Sequence, residues 1–292
     1  MTAEALPRVA VVTGASSGVG KATAKEFARL GWHVIGVGRN PERSAAAQAE
    51  IAVDLAEGGR IDFLRGDFER MADVARIADE IVALTDRVDV LVNNAGSMRD
   101  RKAITDEGNE ITFASNHLAA FLLTKRLLPL LRKAAEGAPA GSVRVLAVSS
   151  TAHTMSPPID WDDLQMTGDA HHFGSTYCFA KLANLLTTRE LTRRLAGDGI
   201  VAQAMHPGVV GSNFLSHTSK ETQAYMETLD MVPPEQPART LLWMATAPEA
   251  GVDGGRYFHD MQAIEPSPAA LDDAAAARLW DESEKILAKL GY

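Results

Sequence analysis

Residues Arg8–Gly20 read RVAVVTGASSGVG, and this stretch decides the fold. Arg8–Val12 is a short run rich in β-branched residues, Thr13–Gly20 follows with glycines at 14, 18 and 20, and a helical pattern occupies Lys21–Leu30 before Gly31 stops it. A glycine motif carries meaning when it leaves a strand and opens a helix, as this one does. Glycine permits a tight turn and lets backbone approach a ligand closely. The helix start offers unpaired N–H groups and the positive end of its dipole, which suits a pyrophosphate. Gly14, Ser16, Ser17, Gly18, Val19 and Gly20 are therefore candidate nucleotide contacts. The plainer alternative is a glycine-rich turn that holds no ligand.

The same alternation continues outward. Val34–Val37 is apolar, and Pro41–Glu57 is alanine-rich and helical, with Gly58-Gly59 after it. Ile61–Leu64 reads as a strand, Arg70–Leu84 as a helix and Val88–Val92 as a strand. A long helical pattern runs from about Asp106 to Ala135; Val143–Val148 reads as a strand, Ser175–Leu195 as a helix and Ile200–Met205 as a strand. Strands that are continuous apolar runs, separated by helices, imply a parallel sheet buried on both faces. Right-handed crossovers then place helices on both sides, giving a doubly wound α/β, Rossmann-type fold. Pro233-Pro234 and the PSP at 266–268 break the chain only locally, because Leu241–Ala245 and Tyr257-Phe258 still need the main core. One domain over residues 1–292 is expected, with 8–150 mainly binding a cofactor and 150–235 carrying catalytic residues and a lid.

Composition narrows the function classes. Among 292 residues, 38 acids outnumber 29 lysines and arginines for a formal charge of −9, which argues against a nucleic-acid partner. The single cysteine, Cys178, allows no internal disulfide and fits a reducing cytoplasm. No stretch approaches the roughly 20 apolar residues of a membrane span. Met1–Pro7 contains Glu4 and does not read as a signal peptide.

Residue chemistry suggests a cofactor. A dinucleotide fold that takes NAD usually carries an acid for the ribose 2′-OH near the end of the second strand. Here that strand ends Val37-Gly38-Arg39-Asn40. Arg39 suits a 2′-phosphate through a bidentate contact, which predicts NADP(H) over NAD(H); an ordinary surface arginine is the alternative. Tyr177 and Lys181 stand four apart in YCFAK, on one helix face. A nearby cation lowers the pKa of a phenol and makes it a usable proton donor or acceptor. Ser150 follows a strand ending at the sheet edge where ligands bind, and its hydroxyl suits a substrate oxygen. Ser149 competes for that role.

Together these residues resemble the short-chain dehydrogenase/reductase family. The landmarks are TGASSGVG at 13–20, Asp67, NNAG at 93–96, Asn116, VSS at 148–150, YCFAK at 177–181 and PGVVGS at 207–212, in order over about 200 residues. The resemblance implies that Tyr177 is the general acid/base. It implies that Lys181 depresses the tyrosine's pKa and holds the nicotinamide ribose, that Ser150 donates to the substrate oxygen, and that Asn116 organises a water in a proton relay. Asp67 and Phe68 are expected to flank adenine, where the family more often has leucine at the second position. Asn93, Ala95 and Gly96 are expected to line the cofactor groove, and Pro207, Gly208, Val210 and Ser212 to meet the nicotinamide. Serine at 212 keeps the hydroxyl of the family's common threonine. The implied activity is hydride transfer between NADP(H) and a carbonyl/alcohol pair; a non-catalytic NADP(H)-sensing or interaction protein is the alternative.

Further stretches resemble the retinol dehydrogenase and WW-domain oxidoreductase-like branch. They are SNHLAAFLLT at 115–124, STAH at 150–153, YCFAKLANLLTTRELTRRL at 177–195, HPGVV at 206–210, GGRYF at 254–258, EPSP at 265–268 and RLWDESEKIL at 278–287. Membrane-bound members of that branch carry an apolar N-terminal anchor, and no such run stands at the start of this chain. Relatives often pair through helices at about 105–135 and 175–195, which leaves a homo-oligomer open, and the insertion before Tyr177 stands against that pairing.

Ser150 and Tyr177 are 27 positions apart, against the family's common dozen. The extra segment, His153–Thr176, holds Trp161, His171, His172 and Phe173 and reads as a loop beside the active-site mouth. No cysteine or acid cluster completes a metal site with the histidines, and no metal is expected. Cys178 is expected to be buried packing, with a modifiable thiol as the alternative; His117 is expected in the core or the cofactor shell; and the basic stretch Arg99–Lys102 is expected to be a solvated loop, with screening of charge near the substrate entrance as the alternative. Asn213–Pro234, with Phe214, Leu215, Tyr225, Met226, Leu229 and Met231, reads as a lid whose apolar content points to a lipophilic carbonyl or alcohol, the alternative being that these residues only pack the lid helix.

Overall fold

The computed structural model describes residues 7–168, 172–211 and 218–292. One eight-stranded sheet runs through it in the order β3-β2-β1-β4-β5-β6-β7-β8. The strands are β1 (Val9–Thr13), β2 (His33–Gly38), β3 (Arg60–Arg65), β4 (Val90–Asn93), β5 (Val143–Val148), β6 (Ile200–Met205), β7 (Tyr257–His259) and β8 (Gln262–Ile264). All pairings are parallel except β7 with β8. The chain order reverses beside β1, where β2 lies on one side and β4 on the other. In such sheets ligands bind outside the carboxyl ends of the strands at that switch point.

Alternate residues of each inner strand face opposite cores, and both faces are covered. Val9 and Val11 join one cluster with residues of α3 (Met71–Leu84), α5 (Ala119–Ala135), α6 (Phe173–Arg194) and α9 (Asp273–Lys289). Ala10 and Val12 join the other, with residues of α1 (Gly18–Arg29), α2 (Pro41–Ala52) and α8 (Glu235–Thr246). This is the α/β, doubly wound arrangement expected from the apolar runs.

Several boundaries differ from the sequence pattern for local reasons. α2 stops at Ala52 rather than Glu57, because the Ala56 N–H donates to the Ala28 carbonyl (3.1 Å) and folds the chain back onto α1. The long helix begins at Ile111, not near Asp106. Gly108 sits at φ +81°, and Glu110 caps the helix by accepting the Phe113 N–H (2.7 Å). A single turn, α4 (Ile111–Phe113), leads into a π-turn at Ala114–Leu118 and then α5.

α9 was visible in the sequence only as a resemblance, yet it packs tightly. Leu279, Trp280 and Leu287 are buried, and the Trp280 ring meets Phe121 edge-on at 4.7 Å. Ser283 Oγ lies 2.8 Å from His117 Nε2. α9 thus occupies a face of α5 and α6, the helices through which relatives often pair. The segment 153–168 is likewise more than a loop: Leu164 and Met166 are buried, and the Arg278 guanidinium stacks on Trp161 at 4.4 Å. His171 lies outside the described residues.

Phe113 and Phe179 stack at 5.8 Å with planes 3° apart, both fully buried, and join the turn before Asn116 to the helix that carries Tyr177. Phe179→Ala is expected to cost about 3–5 kcal/mol, the usual range for deleting a buried aromatic ring. Urea unfolding checks this; a loss below about 1 kcal/mol refutes the packing argument.

Candidate active site

A groove of about 790 Å³ opens along the carboxyl edge of the sheet. At its centre, Gly14 (φ +69°) leaves β1 and Gly18 (φ +54°) opens α1. Ser17 caps α1 only by backbone and makes no side-chain cap bond, so the first-turn N–H groups of α1 have no such acceptor. By contrast Asn40, Glu110, His172 and Asp272 cap α2, α4, α6 and α9 with their side chains. The walls of this cradle are close-packed. A Cβ on Gly14 would come 2.8 Å from Asn94 Nδ2, and one on Gly20 would come 2.4 Å from the Gly14 carbonyl oxygen. An uncapped helix end facing a side-chain-free turn fits a dinucleotide pyrophosphate.

Most of the sequence candidates line this groove: Gly14, Ser16, Ser17, Gly18, Val19, Arg39, Asp67, Phe68, Ala95, Gly96, Ser150, Tyr177, Lys181, Pro207, Gly208 and Val210. Three candidates are not among its lining residues. Gly20 stands behind the turn, and its role is to let α1 approach Gly14. Asn93 turns its amide to Thr124 Oγ1 (2.9 Å), while its neighbour Asn94 lines the groove and donates to the Thr13 carbonyl (2.7 Å). Asn116 lies behind Gly96, where a Cβ would stand 2.5 Å from Asn116 Oδ1 and 3.5 Å from Lys181 Nζ. Asn116 Nδ2 donates to the Ser97 and Thr112 carbonyls, and its buried Oδ1 has no partner. Ser212 lies outside the described residues, as do Phe214 and Leu215.

One end of the groove is ionic. Arg39 and Arg43 line it beside Asp67 and Glu69. Arg39 Nη1 stands 2.8 Å from Glu69 Oε1 and 3.8 Å from Asp67 Oδ2. Arg99 corrects the solvated-loop reading: its side chain is 11% exposed, lines the groove and pairs with the same Glu69 oxygen. Arg43 escaped the sequence reading, and Arg99 was seen only within a basic stretch, because only the fold brings the α2 start and the loop after β4 to this end of the groove.

The other end holds the reactive groups. Ser149 drops out as a rival, because its hydroxyl donates to the Lys181 carbonyl (2.8 Å). Ser150 Oγ accepts the Ala152 N–H (3.1 Å) and makes a hydrogen bond to the Tyr177 hydroxyl. Lys181 Nζ donates to the Val148 carbonyl (3.0 Å) and lies 5.6 Å from the Tyr177 ring centre. Burial pushes Tyr177 well above its ordinary value, and the bond from Ser150 opposes that rise. Burial also pulls Lys181 down to about 8. Desolvation is thus the leading influence on both groups.

His117 is a core residue, lowered to about 3 by full burial, and bears no relation to the groove. Cys178 was expected to be buried, yet it is half-buried and lines the groove, because the groove wraps around this turn of α6. Met155, His172, Leu229 and Met231 complete the mouth. The side chains of Tyr225 and Met226 are not described. Among the described residues no cluster of histidine, cysteine or acid could hold a metal, and no helix is long and apolar enough to cross a membrane.

A switch-point groove with a glycine turn at one end and a serine, tyrosine and lysine at the other defines a Rossmann-type nucleotide-binding oxidoreductase. The short chain dehydrogenase family model matches residues 8–160, and the chain belongs to that family. Human retinol dehydrogenase 13 is 34% identical over 287 residues, covering 96% of this chain and 84% of that protein. Mouse polyprenol dehydrogenase is 35% identical over 96% of this chain and 83% of its own length. These place the chain in a retinol dehydrogenase-like branch. A crystal structure of a protein from Mycobacterium paratuberculosis matches with TM-score 0.73 at 34% identity, covering 98% of this chain and 97% of that one. The Pseudomonas aeruginosa RhlG/NADP active-site complex matches with TM-score 0.66 at 25% identity, covering 86% and 93%.

A lysine whose folded value lies near 8 is charged below that pH and neutral above it. Turnover that needs the Lys181 ammonium is thus expected to be full below about pH 8 and to fall as pH rises through it. A kcat/KM profile flat from roughly pH 6 to 10 contradicts this assignment.

Proposed function

We propose that the protein transfers a hydride between NADP(H) and a lipophilic carbonyl/alcohol pair. The observation that carries the reading is the convergence of Ser150, Tyr177 and Lys181 on one wall of the groove that begins at the glycine turn. The α1 N-terminus and the turn Gly14–Val19 would hold the pyrophosphate. Arg39, with Arg43 beside it, supports a 2′-phosphate and hence NADP(H) over NAD(H). Asp67 and Phe68 would flank the adenine, and Pro207, Gly208 and Val210 the nicotinamide. When bound, the cofactor supplies or accepts the hydride.

The chain's own residues handle the oxygen and its proton. Ser150 donates a hydrogen bond to the substrate oxygen and steadies developing negative charge. Tyr177 gives the proton to that oxygen in reduction and takes it back in oxidation. A phenol held well above neutrality keeps its proton until charge develops beside it, which suits the reductive direction. Lys181, anchored on the Val148 carbonyl, brings a positive charge to the same wall. The lipophilic substrate class is supported by the apolar mouth of Met155, Leu229 and Met231, and by relatives named for retinol and polyprenol, both apolar alcohols. A cytoplasmic setting is supported by the single, unpaired cysteine.

NADPH oxidation against a panel of aldehydes, ketones and quinones tests the activity. Tyr177→Phe is expected to lower turnover by the roughly 10²–10⁴-fold typical of lost acid/base catalysis; retained turnover removes Tyr177 from the chemistry. Arg39→Asp is expected to weaken NADPH binding far more than NADH binding in fluorescence titrations. Equal losses for the two cofactors remove the preference.

A further inference from the structure

His153 sits in the tight turn Thr151–Met155 that directly follows Ser150, and it is 3% exposed. Both ring nitrogens are engaged by backbone. Nδ1 lies 2.7 Å from the Ser150 carbonyl oxygen, and Nε2 accepts the Ser267 N–H at 3.0 Å. A carbonyl can only accept and an amide N–H can only donate, so one ring form satisfies both: neutral imidazole with its proton on Nδ1. The His153 N–H donates to the same Ser150 carbonyl (3.1 Å). The ring stands edge-on to Tyr257 of β7, with centres 5.3 Å apart and planes at 86°. Burial lowers its pKa, which keeps the ring neutral.

Ser267 belongs to a different part of the molecule. It follows β8, lies between Pro266 and Pro268, and begins the short turn Pro268–Leu271 that precedes α9. The imidazole therefore ties Ser150 at the groove to Ser267, which lies beyond β8 and 114 positions from His153. The consequence falls on the Ser150 hydroxyl. That oxygen accepts from Ala152 and bonds to Tyr177, so its direction depends on where the Ser150 backbone is held.

We propose that His153 is a positioning residue: it fixes the backbone of Ser150, and through it the hydroxyl that meets Tyr177 and the substrate oxygen, by bridging to Ser267. The proposal rests on the proposed function for its effect on turnover, but the bridge itself can be tested without turnover. In the ¹⁵N spectrum of histidine-labelled protein, His153 is expected to carry its proton on Nδ1 only and not to titrate near the ordinary histidine value of about 6.5. A proton on Nε2, or ordinary titration, overturns the bridge even if the enzyme is active. Absence of turnover in the wild type, with the ring as described, counts against the proposed function and leaves the bridge standing.

The kinetic arm separates positioning from bulk stability. His153→Phe keeps the ring against Tyr257 and removes both bonds. It is expected to lower kcat by about 10-fold or more with NADPH affinity within about 2-fold. His153→Asn keeps a donor near the Nδ1 position and is expected to recover kcat to within about 3-fold of the wild type. Ser267→Pro removes the distant N–H, together with a buried hydroxyl that makes no hydrogen bond, at a residue whose φ of −61° already suits proline. It is expected to lower kcat in the same direction, by less. Unchanged kcat in His153→Phe, or equal losses in the Phe and Asn variants, overturns the positioning role.

Discussion

The hydroxyl of Thr13 holds the floor of the groove. It donates to the Val92 carbonyl (3.2 Å) and accepts the N–H groups of Asn94 (3.0 Å) and Ala95 (2.9 Å). The Asn94 amide returns to the Thr13 carbonyl (2.7 Å). These four bonds lock the ends of β1 and β4 together at the point where the strand order reverses. The turn at Gly14 and the NNAG segment can then lie against each other with no side chain between them. The cradle, the uncapped start of α1 and the wall behind Gly96 all follow from that clasp. Buried polar groups this fully satisfied make a rigid platform rather than an adaptable one.

Desolvation is the second controlling effect. Lys181 and Tyr177 share a helix face, and proximity alone suggests an acidified phenol. In the folded protein both are buried, and burial acts against charge on each of them: it raises the tyrosine and lowers the lysine. The bond from Ser150 brings the phenol back down. The precise aim of that serine hydroxyl consequently matters more than the Tyr-Lys spacing implies. Polar contacts around it serve that aim: the Ala152 N–H on its oxygen, the neighbouring Ser149 hydroxyl donating to the Lys181 carbonyl, and the His153 ring on its own carbonyl.

Glu69 shows a related tension at the opposite end. It holds Arg39 and also pairs with Arg99, so two cations from separate loops converge where the sequence displayed one. α9 performs a similar gathering on the far face. It brings Trp280 and Ser283 against Phe121 and His117, closing the surface of α5 and α6 with the chain's own residues.

Local pattern was enough for the parallel sheet and the glycine turn, because each depends on short-range periodicity or turn chemistry; Ser150, Tyr177 and Lys181 were singled out by the family resemblance, and the fold brings them to one wall of the groove. The apolar runs become β1 to β6 with only small shifts at their ends. Pattern was not enough for Asn93, Asn116 and Gly20, which stand beside the groove and not in it, or for Arg43 and Arg99, which enter it. Nor could it show that Cys178 reaches the groove. Which neighbour of a pair faces a cleft, how far a charge is stripped of water, and which N–H a histidine ring meets 114 positions along the chain are settled by strand order and burial. Those are properties of the packed chain, since they arise only when segments far apart in sequence exclude water from a common space.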